Sequence, residues 1–282
     1  MNVHVFSEIT ELSAYLLANR KDKMVGFVPT MGALHQAHLS LVEQSQAQCD
    51  ITVCSIFVNP KQFNRREDLI NYPKNLEKDI EMLRSVNCDV LFCPSVDEMY
   101  PDTNEKAFDF GQLTSLMEGE HRPGHFNGVA IVIERFFAII QPEVAFFGEK
   151  DFQQLAVIKA LVSQLNLPVQ IVGCPTVREA SGLAMSSRNE RLNEAEKIAA
   201  AAIYQGLMRI AENKDKASIA ELKTQFTEFI ESNPMLTTEY IEIADESTLQ
   251  AINTWSDSQA PRAFTAVNIR DVRLIDNLPI NP

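Results

Sequence analysis

Basic charge is scarce in this chain of 282 residues: 25 lysines and arginines face 38 aspartates and glutamates, for a formal net charge of −13. That balance lacks the electrostatic footprint of a nucleic-acid binder or of an anionic-membrane binder, so a phosphate ligand requires cations gathered locally. Long apolar runs are missing as well. The most apolar stretch, residues 128–140, is interrupted by Glu134 and Arg135, and nothing approaches the ~20 apolar residues of a bilayer span. Residues 1–8 have no basic start followed by an apolar run, which argues against a secretory signal and for a cytoplasmic protein. The cysteines number five and form no CxxC pair, which argues against a disulfide framework and against a structural zinc site. Reduced thiols used as small hydrophobes are the expectation. No internal repeat or low-complexity tract is visible.

What remains is an ordinary soluble composition, 45% apolar and 22% charged, at a length that suits two domains. Up to residue 176 the pattern alternates. Short apolar strands are expected over 24–28, 51–58, 89–93, 144–147 and 169–173. Helices are expected from an N-cap at Ser7 to about residue 19, and over 36–48, 76–85, 128–140 and 152–165. Near-continuous apolar strands between amphipathic helices imply an α/β fold with a parallel sheet covered on both faces. Ligands of such sheets bind beyond the carboxyl ends of the strands, here just after residues 28, 58 and 147. From 177 to 282 the rhythm changes to two long helices, 194–213 and 218–231, followed by alternating strands at 239–244 and 263–269. This predicts a smaller α+β C-terminal domain.

The chemistry-bearing residues cluster at those strand ends. The segment from Val28 through His38 runs from a strand end into a helix start, where unpaired N–H groups and the helix dipole favour anions. His35 and His38, three apart, share one face of that first turn. They read either as phosphate donors or as one capping and one packing residue. Lys150 stands at a helix start, mildly unfavourable for a cation, which points to use rather than ornament. Ser186, Ser187 and Arg188 offer hydroxyls and a guanidinium, or else a polar cap before Glu194. Gln62 and Gln154 are neutral amides suited to a substrate with hydroxyls and a carboxylate. A catalytic zinc is disfavoured: there is no HExxH, and Pro123-Gly124 breaks the helix that His121 and His125 would need.

Five ordered segments carry a resemblance: PTMGALHQAH (29–38), FVNPKQF (57–63), EGEHRPGHF (118–126), FGEKDFQQL (147–155) and VREASGLAMSSRN (177–189). The first resembles the HxGH signature of nucleotidylyl transferases and class I aminoacyl-tRNA synthetases. Together they resemble the pantothenate synthetase family. The resemblance implies a Rossmann-like domain, a small C-terminal domain, ATP and Mg²⁺, a homodimer and a two-step reaction. Pantoate attacks the α-phosphate of ATP to give pantoyl adenylate and pyrophosphate; β-alanine then displaces AMP to give pantothenate. It implies catalytic roles for His35, His38, Lys150, Ser186, Ser187 and Arg188. ATP would meet these together with Pro29, Thr30, Met31, Gly148 and Asp151, with Val177 and Met185 flanking the adenine. Pantoate and β-alanine would meet Met31, Gln62, Gln154, Asn59, Tyr72, Glu118 and Arg122, and Asp79 would serve Mg²⁺. Residues 185–188 would form a mobile lid.

The chain departs from the family pattern at Ala37, where glycine is usual, at Lys61 for threonine, and at Asn64-Arg65-Arg66 for a more neutral turn. Asn127 and Ser181 stand where aspartate is common. Three rivals stay open at this level. One is a nucleotidyltransferase that stops at adenylyl transfer, the second a nucleotide-binding protein without turnover, and the third a zinc metalloenzyme.

Overall fold

In the computed structural model, which describes residues 3–64, 66–102 and 106–280, the chain divides into two units. One comprises Met1–Thr114, Glu118–Glu149 and Gln154–Pro175; the other comprises Ser115–Met117, Lys150–Gln153 and Thr176–Pro282. Lys150, expected within 1–176, therefore packs with the second unit.

From the N-terminus the elements run β1 (His4–Phe6), α1 (Ile9–Asn19), β2 (Val25–Thr30), α2 (Gln36–Gln46), β3 (Ile51–Ile56), α3 (Arg66–Ile70) and α4 (Leu76–Ser85). They continue through β4 (Val90–Phe92), α5 (Val96–Met99), α6 (Glu118–His121), α7 (His125–Ile140), β5 (Val144–Gly148), α8 (Phe152–Leu165) and β6 (Gln170–Cys174). The six strands form one parallel sheet in the order β1-β4-β3-β2-β5-β6. The near-continuous apolar character of the strands follows from cover on both faces. Phe27 meets Phe136 and Phe137 of α7, with ring centroids 5.3 and 6.3 Å away. Val28, next along the pleat and so on the other face, is buried in one cluster with Leu39 and Val42 of α2. β2 lies between β3 and β5, where the strand order reverses, and the crevice beyond its carboxyl end is the ligand seat of such sheets.

Strand β1 was not expected, and of the boundaries that differ from expectation two have clear reasons. β2 continues through Pro29, which pairs with Ser55, instead of stopping before it. The Thr30 carbonyl faces β3, where it accepts from Phe57 N, so alternation turns the proline nitrogen toward β5. Pairing with β5 ends at Phe27, and no ladder bond is lost. Helix α1 begins at Ile9 with Glu8 in the N-cap position and no side-chain cap, one residue later than a Ser7 cap requires.

In the second unit, α9 (Glu194–Ala200), α10 (Ala202–Asn213) and α11 (Ile219–Glu231) accompany β7 (Leu236–Asp245), β8 (Pro261–Ile269) and β9 (Val272–Pro279). The strands form an antiparallel sheet in the order β7-β8-β9. Its core holds Leu207 and Ile210 of α10, Leu222 and Phe226 of α11, Ile243 of β7 and Val267 of β8. Ser218 caps α11 in a reciprocal box with Glu221. The single helix expected over 194–213 is two, parted at Ala201, whose ψ of −22° tightens the turn. Strand β9 escaped the alternation rule because two polar residues, Asp276 and Asn277, are buried within it.

All five cysteines are free. Burial pushes the thiols of Cys88 and Cys93 up to about 12, so neither is a thiolate at neutral pH.

Candidate active site

In the first unit, β2 delivers the histidine loop to the crevice. Thr30 Oγ1 donates to the Ser55 carbonyl at 2.6 Å and accepts from Gly32 N at 3.3 Å. Gly32 and Ala33 both take left-handed backbone, with φ of +83° and +50°, a conformation an alanine adopts only when held. Asp79 of α4 holds it: the buried carboxylate accepts from Ala33 N at 3.0 Å and from Leu34 N at 2.8 Å. His35 then stands at the N-cap of α2 in extended backbone. His38 Nδ1 accepts from His35 N at 3.3 Å, and the two imidazoles lie 4.1 Å apart between centroids. With Nδ1 an acceptor, the neutral His38 ring carries its proton on Nε2, a donor on the first turn of a helix.

A second group surrounds Gln62, in the 3₁₀ turn Pro60–Gln62. Gln62 Nε2 approaches Met31 Sδ at 2.7 Å, and Gln62 Oε1 accepts from Asn59 Nδ2 at 3.1 Å. Asn59 is 1% exposed. Its Nδ2 also donates to the Gly128 carbonyl at 3.0 Å, while its Oδ1 accepts from Tyr100 OH at 2.9 Å and Lys61 N at 3.2 Å. The amide is thus saturated by protein and acts as a brace. Gly128 permits this packing, because a Cβ there would stand 2.2 Å from the Lys61 carbonyl oxygen. Arg122 Nη1 donates to His125 Nε2 at 3.1 Å, and His125 Nδ1 donates to the Gln62 carbonyl at 2.9 Å. An arginine can only donate and a carbonyl can only accept, so the contacts fix one neutral tautomer of His125.

The second unit carries its own donors. Met185 N donates to the Val177 carbonyl at 3.0 Å, closing a hairpin that sets Val177 and Met185 side by side. Ser186 caps the following 3₁₀ turn, Ser187–Arg191, through Arg188 N. A shallow cleft is lined by Lys150, Ser186, Arg188, Asn189, Arg273 and Asp276 among others. The lining brings three cations, Lys150, Arg188 and Arg273, beside one buried carboxylate, Asp276, and Arg273 is itself paired with Glu239 at 2.8 Å. Lys150 Nζ lies 3.5 Å from the Asp151 carboxylate.

The structure therefore gathers Pro29, Thr30, Met31, His35 and His38 on the segment from the end of β2 to the first turn of α2, and Met31, Asn59 and Gln62 in one hydrogen-bonded group with Arg122 attached through His125. It gathers Lys150, Ser186 and Arg188 in one cleft. Ser187 opens the adjoining 3₁₀ turn. Gly148 ends β5 opposite Cys174, Tyr72 packs edge-on against Phe63 with centroids 5.8 Å apart, and Glu118 is buried at the start of α6. Among the described residues no hydrogen bond joins Gln154 to the Gln62 group. Of the departures, Asn127 Oδ1 accepts from Phe108 N and Lys61 Nζ sits 4.7 Å above the Tyr100 ring; Arg65 lies outside the described residues. Residues missed from the sequence are Tyr100, His125 and the loop-anchoring role of Asp79; each acts through a partner remote in sequence.

Among the described residues, no group of three or more histidines, cysteines, aspartates or glutamates stands ready to hold a metal ion, and no helix is long and apolar enough to cross a membrane. The model of the pantoate-beta-alanine ligase family matches residues 4–279. The pantothenate synthetase of Porphyromonas gingivalis is 44% identical over 278 residues, 98% of this chain and 99% of its own length. That of Azobacteroides pseudotrichonymphae is 46% identical over the same shares. The solved pantothenate synthetase of Thermus thermophilus is 41% identical with a TM-score of 0.93, covering 99% of this chain and 100% of that one. The pantoate-beta-alanine ligase of Francisella tularensis, solved with beta-gamma ATP and beta-alanine, is 35% identical with a TM-score of 0.82 over 99% and 98%.

Proposed function

The chain belongs to the pantoate-beta-alanine ligase family, and on that premise we propose how its own residues divide the work of joining (R)-pantoate to β-alanine. The reaction consumes ATP and yields pantothenate, AMP and pyrophosphate through pantoyl adenylate. The observation that carries the reading is the family match across residues 4–279, which spans both sets of donors.

In the first step the pantoate carboxylate attacks the α-phosphorus of ATP and pyrophosphate leaves. A carboxylate is already ionised at neutral pH, so no general base is needed. The demand is for fixed donors that stabilise charge in flight. For the triphosphate the first unit supplies His38 Nε2–H and His35, and the second supplies the Lys150 ammonium with Ser186, Ser187 and Arg188. Val177 and Met185 flank the adenine, and Gly148 and Asp151 offer it backbone contacts. Gln62 and Gln154 hold the pantoate hydroxyls and carboxylate against Met31. Asn59 braces Gln62 from behind, and Glu118, Arg122 and Tyr72 border the β-alanine side. In the second step the free amine of β-alanine attacks the acyl carbon and AMP leaves with the bond electrons, the amine proton passing to solvent.

Mg²⁺ fits as an ion carried by the triphosphate with at most one protein carboxylate, since no protein cluster among the described residues supplies a cage. When bound it lowers the negative charge that the attacking carboxylate must approach. Asp79 is the nearest match to a family ligand, yet both its oxygens already accept loop N–H groups. Residence in the cytoplasm and assembly as a homodimer complete the proposal; sedimentation of the purified chain tests the latter.

The deciding experiment mixes protein, ATP, Mg²⁺ and pantoate and follows pyrophosphate, then adds β-alanine and follows AMP. Pyrophosphate release without AMP on adding β-alanine would leave a nucleotidyltransferase. Saturable ATP binding without pyrophosphate would leave a binding protein.

A further inference from the structure

Strand β9 contains two adjacent polar residues in its buried stretch, Asp276 at 4% and Asn277 at 3% exposure. Arg178 grips Asp276 at both oxygens, Nη1 to Oδ2 at 2.6 Å and Nη2 to Oδ1 at 2.9 Å. The same guanidinium donates to the Gly182 carbonyl at 3.1 Å and lies 4.0 Å above the Tyr204 ring. It is thereby locked into the hairpin that holds Val177 beside Met185. Asn277 Nδ2 donates to the Lys150 carbonyl at 2.9 Å, and Asn277 N donates to Asp276 Oδ1 at 2.8 Å. Asp276 and the Lys150 side chain line the same cleft as Ser186 and Arg188.

A buried ion pair of this kind adds little net stability over apolar packing. Burial pushes the Asp276 carboxyl up from the usual aspartate range, even though Arg178 and Lys150 both favour its charged form. Buried ion pairs of this kind are often replaced by apolar residues at no loss of stability. Their best use is to fix geometry.

We propose that Asp276 and Asn277 form one positioning element for Lys150: Asn277 pins its backbone, and Asp276 anchors the Arg178 hairpin and sets a fixed negative charge in the cleft where the ammonium works. This rests on the reading of Lys150 as a phosphate donor. The element acts on a group that matters most as charge develops, so its loss falls on kcat and not on ATP binding.

The test measures pyrophosphate release at saturating pantoate and Mg²⁺, with melting temperatures, for the full chain and four variants: Asp276→Asn, Arg178→Gln with Asp276→Asn, Asn277→Ala, and Lys150→Ala. Asp276→Asn is expected to lower kcat about tenfold or more, with ATP KM moving less than about threefold. The double variant is expected to regain melting temperature, because no unpaired cation is left buried, yet to keep the low kcat. Wild-type kcat in the folded double variant would overturn the proposal, leaving Asp276 as a mere neutraliser of Arg178. If the Asp276 variants do not fold, Asn277→Ala decides: a kcat-selective loss supports the element and wild-type kcat overturns it. Normal turnover by Lys150→Ala would overturn the Lys150 reading and this proposal together, whereas an impaired Lys150→Ala beside a normal Asn277→Ala overturns the positioning element alone.

Discussion

The two units hold their polar groups by different means. In the first, the histidine loop and Gln62 are braced by hydrogen bonds that run mainly to backbone: Asp79 to two loop N–H groups, Asn59 to the Gly128 carbonyl and Lys61 N. In the second, Lys150 and the 177–185 hairpin are held beside a buried ion pair, Arg178 with Asp276. The difference follows from what is being held. In the first unit the loop N–H groups are held by one carboxylate, Asp79, and Gln62 is held by a neutral amide, Asn59. An ammonium kept in a partly buried cleft needs an anion near it to offset desolvation. On the proposal above, the Asn59 amide contributes mostly stability and the Arg178–Asp276 pair contributes mostly placement.

Four substitutions test that contrast. Lys150→Ala, on the ionic side, should slow adenylate formation by about 10²-fold or more with an unchanged fold. Stopped-flow pyrophosphate detection reads it, and near-normal turnover removes Lys150 from the mechanism. Asn59→Ala, on the amide side, strands Tyr100 OH, the Gly128 carbonyl and Gln62 Oε1, and should cost about 3 kcal/mol of stability in urea titrations. A loss below about 1 kcal/mol would mean that the brace is solvated and the contrast too sharply drawn. Asp79→Asn keeps the shape but removes one acceptor and the charge, and should cost about 1–2 kcal/mol. As a loop anchor it should lower kcat at saturating Mg²⁺; a rise in the Mg²⁺ needed for half-maximal rate, with kcat unchanged, would make it a metal ligand instead. The smallest effect is expected of Ala37→Gly, which removes a methyl from the first turn of α2: ATP KM should fall or stay level. A clear rise would place the nucleotide elsewhere than against that turn.

Much of the first unit was legible locally. Apolar strands and amphipathic helices repeat at short range, so five of the six strands of the parallel sheet and the loops after residues 28, 58 and 147 could be read by period alone, while the three-residue β1 was too short to show one. The second unit was less so. β9 was missed because Asp276 and Asn277 interrupt its apolar alternation, and the residue that explains them, Arg178, lies 98 positions upstream. The same holds for Asp79, whose partners Ala33 and Leu34 are 46 and 45 positions away, and for Asn59 with Tyr100 at 41. A polar residue satisfied by a distant partner looks, from its neighbours, like an exposed one.

The order of chemistry along the chain, which residue types stand after which strands, is written in the amino acids themselves. Side-chain donors and turn formers act through properties they carry wherever they are placed. The choice of which polar groups would be buried, and which partner would satisfy each, arose only when remote segments packed against one another. Desolvation is a property of the folded surroundings, and it alone turned Asn59, Asp79 and Asp276 from solvated side chains into the supports of the site.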